Sequence, residues 1–268
     1  MKLENYELHL PSYSVGKEVY NQIGKICKPY GTKVLVIGGK KALSAAFDKI
    51  SKNAADGGLD IIGKEIYGTD CTYEAVERLA ALTSFQEADM VFAVGGGKAI
   101  DTCKCLCIEC EKPVFTFPTI ASNCAACTSV SIMYHEDGTF FKPHFFTHPA
   151  AHAFIDTQII AAAPYRYLWA GIGDTYAKNY EAEISSRGEK LPHYTEVGVG
   201  FSKMCLTPML EYGRQALEDN KKGVATEALE QVALAIVVTT AIVSIFLTRD
   251  FTPDYNLSLI HISEPTRH

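Results

Sequence analysis

Residues 88–101 read A-D-M-V-F-A-V-G-G-G-K-A-I-D, and the fold turns on them. The run from Met90 to Val94 is too short for a helix and rich in β-branched and aromatic side chains. That is the pattern of a strand buried on both faces of a parallel sheet. Gly95, Gly96 and Gly97 follow without a break, then Lys98, then a segment expected to be helical from Ala99 to about Cys110. Strand, glycine turn and helix start together make a phosphate cradle. Without a Cβ the backbone lets an oxyanion approach, and the first N–H groups of a helix have no partner inside it. The stretch is neither G-x-G-x-x-G nor the P-loop G-x-x-x-x-G-K-[ST]. Glycines alone suit a tight turn without ligand equally well.

Outward from this unit the pattern repeats. On the N-terminal side, strands are expected at residues 7–10, 33–37 and 59–66, with helices at 16–28, 42–54 and 72–85. Residues 113–117 (P-V-F-T-F) form the next strand, closed by Pro118. Strands alternating with helices of this length mean βαβ units and a parallel sheet, with ligands at the carboxyl ends of the strands. Further short strands are expected at 129–134, 139–147 and 152–155, and helices at 157–163, 165–186, 195–219 and 226–247. The expected fold class is therefore an α/β nucleotide-binding domain over 1–162, followed by an all-helical domain over 163–256, with a cleft between them.

Composition narrows the function. The chain has 268 residues, enough for one large or two modest domains, and a formal net charge of −6. That charge argues against nucleic acid and anionic membrane as partners. Residues 1–13 carry no apolar signal segment. The apolar helix at 228–247 contains Glu230 and Gln231 and reads as a core helix instead of a membrane span. Nine cysteines in this setting read as free thiols in a reducing cytoplasm.

Three motifs occur in order: G-G-G-K-x-x-D at 95–101, P-T-I-A-S at 118–122 and G-I-G-D at 171–174. With these the chain resembles the iron-containing (group III) alcohol dehydrogenase superfamily, and its glycerol dehydrogenase-like branch most closely. The resemblance implies NAD-linked, metal-dependent oxidation of a small alcohol or polyol. It implies pyrophosphate contacts from Gly95, Gly96, Gly97, Lys98 and Ala99. Thr119 and Ser122 would lie on the nicotinamide side, with Thr128, Val130 and Tyr134 as further cofactor positions. Asp174 matches a metal-ligating aspartate, for zinc or iron. The bound ion would lower the pKa of a substrate hydroxyl, so the chemistry is centred on the metal and no other catalytic side chain is assigned. A homo-oligomer is expected of the intact protein.

The sequence departs from the family in three places. The family's two histidine metal ligands come later, and residues 257–267 (L-S-L-I-H-I-S-E-P-T-R) match the translation of a sequencing-library transposase adapter. The chain is therefore expected to be a C-terminally truncated member with a non-native tail at 257–268, and His261 is a ligand only if that tail is native. Truncation is further expected to leave an unpartnered apolar face on the helix at 228–247. Cys124 stands where these enzymes carry an aspartate near the substrate, which removes an acceptor for polyol hydroxyls and puts glycerol itself in doubt. After the second strand, Gly38-Gly39-Lys40-Lys41 replaces the acidic residue of NAD-specific relatives, which leaves NADP open, beside the plain reading of two solvated lysines.

Other clusters read as structure. On a helix Cys103, Cys107 and Cys110 share a face while Cys105 points away, as core thiols. His144, His148 and His152 recur every four residues, but Pro143 and Pro149 exclude a helix there. Cys124 and Cys127 form C-x-x-C without a thioredoxin context. The alternatives to a dehydrogenase are a lyase of the dehydroquinate synthase type, for which Arg166, Lys178 and Arg187 are scattered basic candidates, and a cofactor-binding fragment without turnover.

Overall fold

The structure is a computed structural model, which describes residues 6–248. Its core is a six-stranded, wholly parallel sheet. In chain order the first part runs β1 (Tyr13–Gly16), α1 (Ile23–Cys27), β2 (Lys33–Gly38), α2 (Lys40–Asp56), β3 (Asp60–Ile66), α3 (Tyr73–Ala80), α4 (Thr83–Glu87), β4 (Met90–Gly95), α5 (Gly97–Ile108) and β5 (Val114–Pro118). An antiparallel pair, β6 (Val130–Tyr134) and β7 (Phe140–Phe145), is followed by β8 (His152–Asp156) and α6 (Thr157–Ala162). The remainder is helical: α7 (Tyr165–Ser185), α8 (His193–Ser202), α9 (Leu206–Lys221), α10 (Glu227–Leu234) and α11 (Thr240–Leu247).

The sheet order is β1-β8-β5-β4-β2-β3. Both faces are covered, which explains the unbroken apolar runs in its strands. Val34 and Val36 of β2 and Met90, Phe92 and Val94 of β4 pack with Leu43, Ala46 and Ile50 of α2. Leu35, Ile37, Val91 and Ala93 point the other way, toward Ile100, Cys103 and Leu106 of α5. So α2 and α5 lie on opposite faces. From β2 the chain winds out to β3, then returns to place β4 on the other side of β2. The sheet therefore reverses its winding between β2 and β4, and a crevice opens at their carboxyl ends.

Several expected elements change on folding. The first strand is Tyr13–Gly16, not residues 7–10, because pairing with β8 sets its position: Tyr13 lies opposite Ala153 and Gly16 opposite Asp156. The expected helix at 72–85 divides into α3 and α4, with Leu82 extended between them. Leu79 and Phe85 lie in the core and Leu82 packs against it. The helix at 195–219 divides at a 3-10 turn, Lys203–Cys205. Cys105 is buried like Cys103 and Cys107, because β6 packs against the outer side of α5, while Cys110 just beyond the helix end is exposed.

The run Glu227–Leu247 is long and apolar enough to cross a membrane, but most of it is buried inside the protein. Its face is not left unpartnered: α8 covers it, at Gly198, where an added Cβ would lie 2.8 Å from Phe246 Cβ. Midway the helix widens into a π turn, Ala235–Thr239. There the Thr240 hydroxyl donates to the Ala235 carbonyl at 3.0 Å, a common way for a hydroxyl to loosen the helical ladder, and its oxygen lies 3.2 Å from the Thr175 hydroxyl of α7, from which it can accept.

Candidate functional site

A cleft of about 960 Å³ opens at the carboxyl ends of β2, β4 and β5 and reaches α7. Gly95, Gly96, Gly97, Lys98, Ala99, Thr119, Ser122, Thr128, Val130 and Tyr134 all line it, as do Cys124 and Asp174. The two regions the sequence analysis separated at residue 162 thus meet at one surface.

The floor is the start of α5. Gly96 is its N-cap and offers no side chain, so the N–H groups of the first turn have no capping acceptor. The three glycines are needed for different contacts. A Cβ on Gly95 would lie 2.8 Å from Ala99 Cβ, one on Gly96 2.6 Å from Ile120 Cδ1, and one on Gly97 2.6 Å from Asn123 Nδ2. Such a floor, bare of side chains and edged by backbone donors, fits the pyrophosphate of a dinucleotide. Lys98 does not project into open space: its ammonium pairs with Asp70 and sits 4.8 Å from the centre of the Tyr134 ring.

The loop after β5 forms the next wall. Thr119 N–H donates to Gly95 O at 3.1 Å, which ties this loop to the cradle. Beneath it lies Lys104, fully buried on α5. Its Nζ donates to Ala125 O at 2.8 Å and to Thr128 Oγ1 at 3.1 Å, and contacts Asp101 Oδ1 at 3.0 Å. The other oxygen of Asp101 accepts from Ile132 N–H at 3.1 Å. Burial pushes the Asp101 pKa up, and the Lys104 charge opposes that shift. Lys104, Asp70 and Asn123 also belong to this site. An Asp-x-x-Lys pair on an otherwise apolar helix was the available signal for Lys104; Asp70 and Asn123 lie in irregular segments without one.

At the far end stand Cys124 and Asp174. Gly171 explains the first glycine of G-I-G-D: a Cβ there would lie 2.4 Å from Ala121 O, so only glycine lets α7 touch the β5 loop. One turn on, Asp174 reaches the cleft, and burial raises its pKa against the pull of Lys178. Lys178 is itself buried and bonded to Glu181 at 3.1 Å; burial disfavours its charge, but Asp174 and Glu181 outweigh that and raise its pKa. The Cys124 thiol is pushed up to about 12 by burial and by the Asp174 charge. All nine cysteines are free, Cys124 and Cys127 included.

Among the described residues no group of three or more His, Cys, Asp or Glu side chains could hold a metal. Asp174 alone does not fit a metal centre, which needs three or four ligands, and His261 lies outside the described residues. His144 is bonded to Tyr73 and Glu109, His152 to Ser12 and Ser14, and His148 to the Pro149 carbonyl. Of the scattered basic residues, Arg166 and Lys178 line the cleft and Arg187 is not among its lining residues.

The family described as iron-containing alcohol dehydrogenase matches residues 11–156. The chain is 32% identical over 224 residues to glycerol dehydrogenase of Escherichia coli O6:H1, covering 82% of this chain and 61% of that protein. It is 32% identical to hydroxycarboxylate dehydrogenase A of Escherichia coli K12, over 77% of this chain and 56% of the relative. The crystal structure of glycerol dehydrogenase from Schizosaccharomyces pombe superposes with a TM-score of 0.79 at 25% identity, covering 90% of this chain and 62% of that one. The chain thus spans about three-fifths of the length of the curated relatives it matches.

Proposed function

The chain belongs to the iron-containing alcohol dehydrogenase family, and from that we propose that its cleft binds a nicotinamide dinucleotide and serves the oxidation of a small alcohol or polyol, or the reverse reduction. The observation that carries this reading is the convergence of all ten candidate cofactor residues, with Cys124 and Asp174, on one cleft at the winding reversal of the sheet. The dinucleotide supplies the hydride acceptor. The protein's part is to bind and orient. Gly95, Gly96, Gly97 and the first turn of α5 hold the pyrophosphate. Thr119 and Ser122 flank the nicotinamide, and Thr128, Val130 and Tyr134 back it. Lys104 holds that wall in place through the Ala125 carbonyl. The substrate carbon then lies between the nicotinamide and the Cys124–Asp174 end.

Asp174 would supply one ligand to a divalent ion, zinc or iron, but the described residues bring no group of three His, Cys, Asp or Glu side chains together to complete such a centre. Cys124 offers the substrate a weakly polar, un-ionised thiol, which favours alcohols with fewer hydroxyls than glycerol. Of the basic residues offered for the lyase alternative Arg166 lines the cleft, but Lys178 is engaged with Glu181 and Arg187 is not among the lining residues, so the three do not form a cluster.

The test is a titration of the chain with NADH and NADPH, followed by nicotinamide fluorescence and competed with ADP-ribose. Saturable, competed binding is expected of at least one of them. A folded chain that binds neither overturns the reading.

A further inference from the structure

The two ends of the cleft differ in charge. The cradle at the start of α5 has a neighbour on each side. Toward β5, Thr119 N–H bonds Gly95 O at 3.1 Å and leads to Ser122, Cys124 and Asp174, the reacting end. Toward β2, Gly39 N–H donates to Val94 O at 3.3 Å, and Gly38 packs so closely that an added Cβ would lie 2.4 Å from that same oxygen. A pyrophosphate on the cradle whose nicotinamide lies over β5 must send its adenosine ribose over the end of β2. In a site for the unphosphorylated dinucleotide, a carboxylate at this place accepts from the ribose 2′-hydroxyl.

No carboxylate is there. The lining carboxylates among the described residues are Asp101 and Asp174. Asp101 is held by Lys104 beneath α5, and Asp174 stands at the reacting end beside Cys124. The end of β2 instead presents Lys40 and Lys41, both exposed, both lining the cleft, and neither bonded or ion-paired to any described residue. Ala42 and Ala45 line the same wall with small side chains, leaving room above α2. Lys49, further along that wall, is occupied: its Nζ bonds Asp156 Oδ2 at 2.8 Å. Two unpaired ammonium groups without a carboxylate suit a dianion and offer a bare diol nothing that accepts its hydroxyl hydrogens.

We propose that the cleft selects the dinucleotide whose adenosine ribose carries a 2′-phosphate, NADP(H), with Lys40 and Lys41 as its phosphate ligands. This rests on the dinucleotide reading above. The phosphate attraction is a partly screened surface interaction, so the preference weakens as salt is raised.

The test compares NADPH with NADH by nicotinamide fluorescence, and 2′,5′-ADP with 5′-AMP by calorimetry, on the 268-residue chain at low and high salt. The phosphorylated ligand of each pair is expected to bind at least about tenfold tighter at low salt, as charge-assisted hydrogen bonds to a phosphate allow. Lys40→Glu with Lys41→Glu should reverse the order, weakening NADPH by more than about tenfold while NADH changes by less than about twofold. NADH binding as tightly as NADPH, or a double variant that weakens both alike, overturns the assignment and leaves the dinucleotide cleft standing. Binding of neither ligand to a folded chain overturns both.

Discussion

The Nζ of Lys104 on α5 donates to the carbonyl oxygen of Ala125 at 2.8 Å, with the Asp101 carboxylate 3.0 Å away. One buried ammonium therefore joins the helix that starts at the phosphate cradle to the loop that carries Ser122 and Cys124. Cradle and reacting end are held in register by this group and by the Thr119–Gly95 bond.

Removing that cation leaves a buried carboxylate without its counter-charge. Lys104→Met is expected to cost about 3–5 kcal/mol of stability. Adding Asp101→Asn should recover part of the loss, since the uncompensated charge is then gone. Urea unfolding of the wild type, both single variants and the double variant measures the coupling. Additive losses would mean that Lys104 acts through its other bonds alone.

Two glycines at the same crevice should fail in different ways. At Gly38 an added Cβ meets the Val94 backbone oxygen at 2.4 Å, which cannot move without parting β2 from β4. Gly38→Ala should therefore destabilise the fold by about 1–3 kcal/mol. At Gly96 the neighbour is the tip of Ile120, which can turn aside. Gly96→Val should leave the midpoint of thermal unfolding nearly unchanged and weaken dinucleotide binding by about tenfold or more, because the new side chain fills the phosphate path. Calorimetry with NADH and NADPH decides; unchanged affinity for both would remove the cradle assignment.

His152 joins β8 to the edge strand β1, with its ring nitrogens 2.6 Å from Ser12 Oγ and 2.9 Å from Ser14 Oγ. Burial lowers its pKa from 6.5 to about 4. Between those values the unfolded chain binds the proton and the folded chain does not. The contribution of His152 is therefore complete above pH 6.5 and is lost as the pH falls toward about 4. Thermal unfolding from pH 7 to 4.5 should show a steeper acid loss for the wild type than for His152→Gln. Parallel curves would contradict it.

The buried thiols act at the opposite end of the scale. Burial raises both Cys124 and Cys127 from the ordinary thiol value of 9.0 to about 12. Above pH 9 the unfolded chain gives up protons that the folded chain keeps, so stability declines as the pH climbs from about 9 toward 12. Cys124→Ala with Cys127→Ala should flatten that decline in urea unfolding between pH 8 and 10.5. At pH 8 iodoacetamide should modify exposed Cys110 first and leave Cys124 unmodified in the folded protein; equal rates at the two thiols would show that Cys124 is not buried as described.

Chain-local signals were sufficient for most of the architecture. Runs such as 33–37 and 90–94 are apolar throughout because helices cover both faces of a parallel sheet, and that burial is written residue by residue. The glycines at 95–97, Thr119, Ile120 and Ser122 of the motif at 118–122 and Asp174 of the motif at 171–174 line the cleft, and at Gly95, Gly96, Gly97 and Gly171 close neighbours leave no room for a side chain. What stayed illegible depended on partners distant in the chain. The place of β1 is set by β8, about 140 residues later, since a half-exposed edge strand has little pattern of its own. Cys105 is core because β6 packs over α5. Lys104 looked like an ordinary helix lysine until packing surrounded it with three carbonyls and a carboxylate. The charge at the end of β2 could be read from Lys40 and Lys41, but that they line the cleft, and that no carboxylate joins them there, follows from the winding of the sheet, which sequence periodicity does not encode.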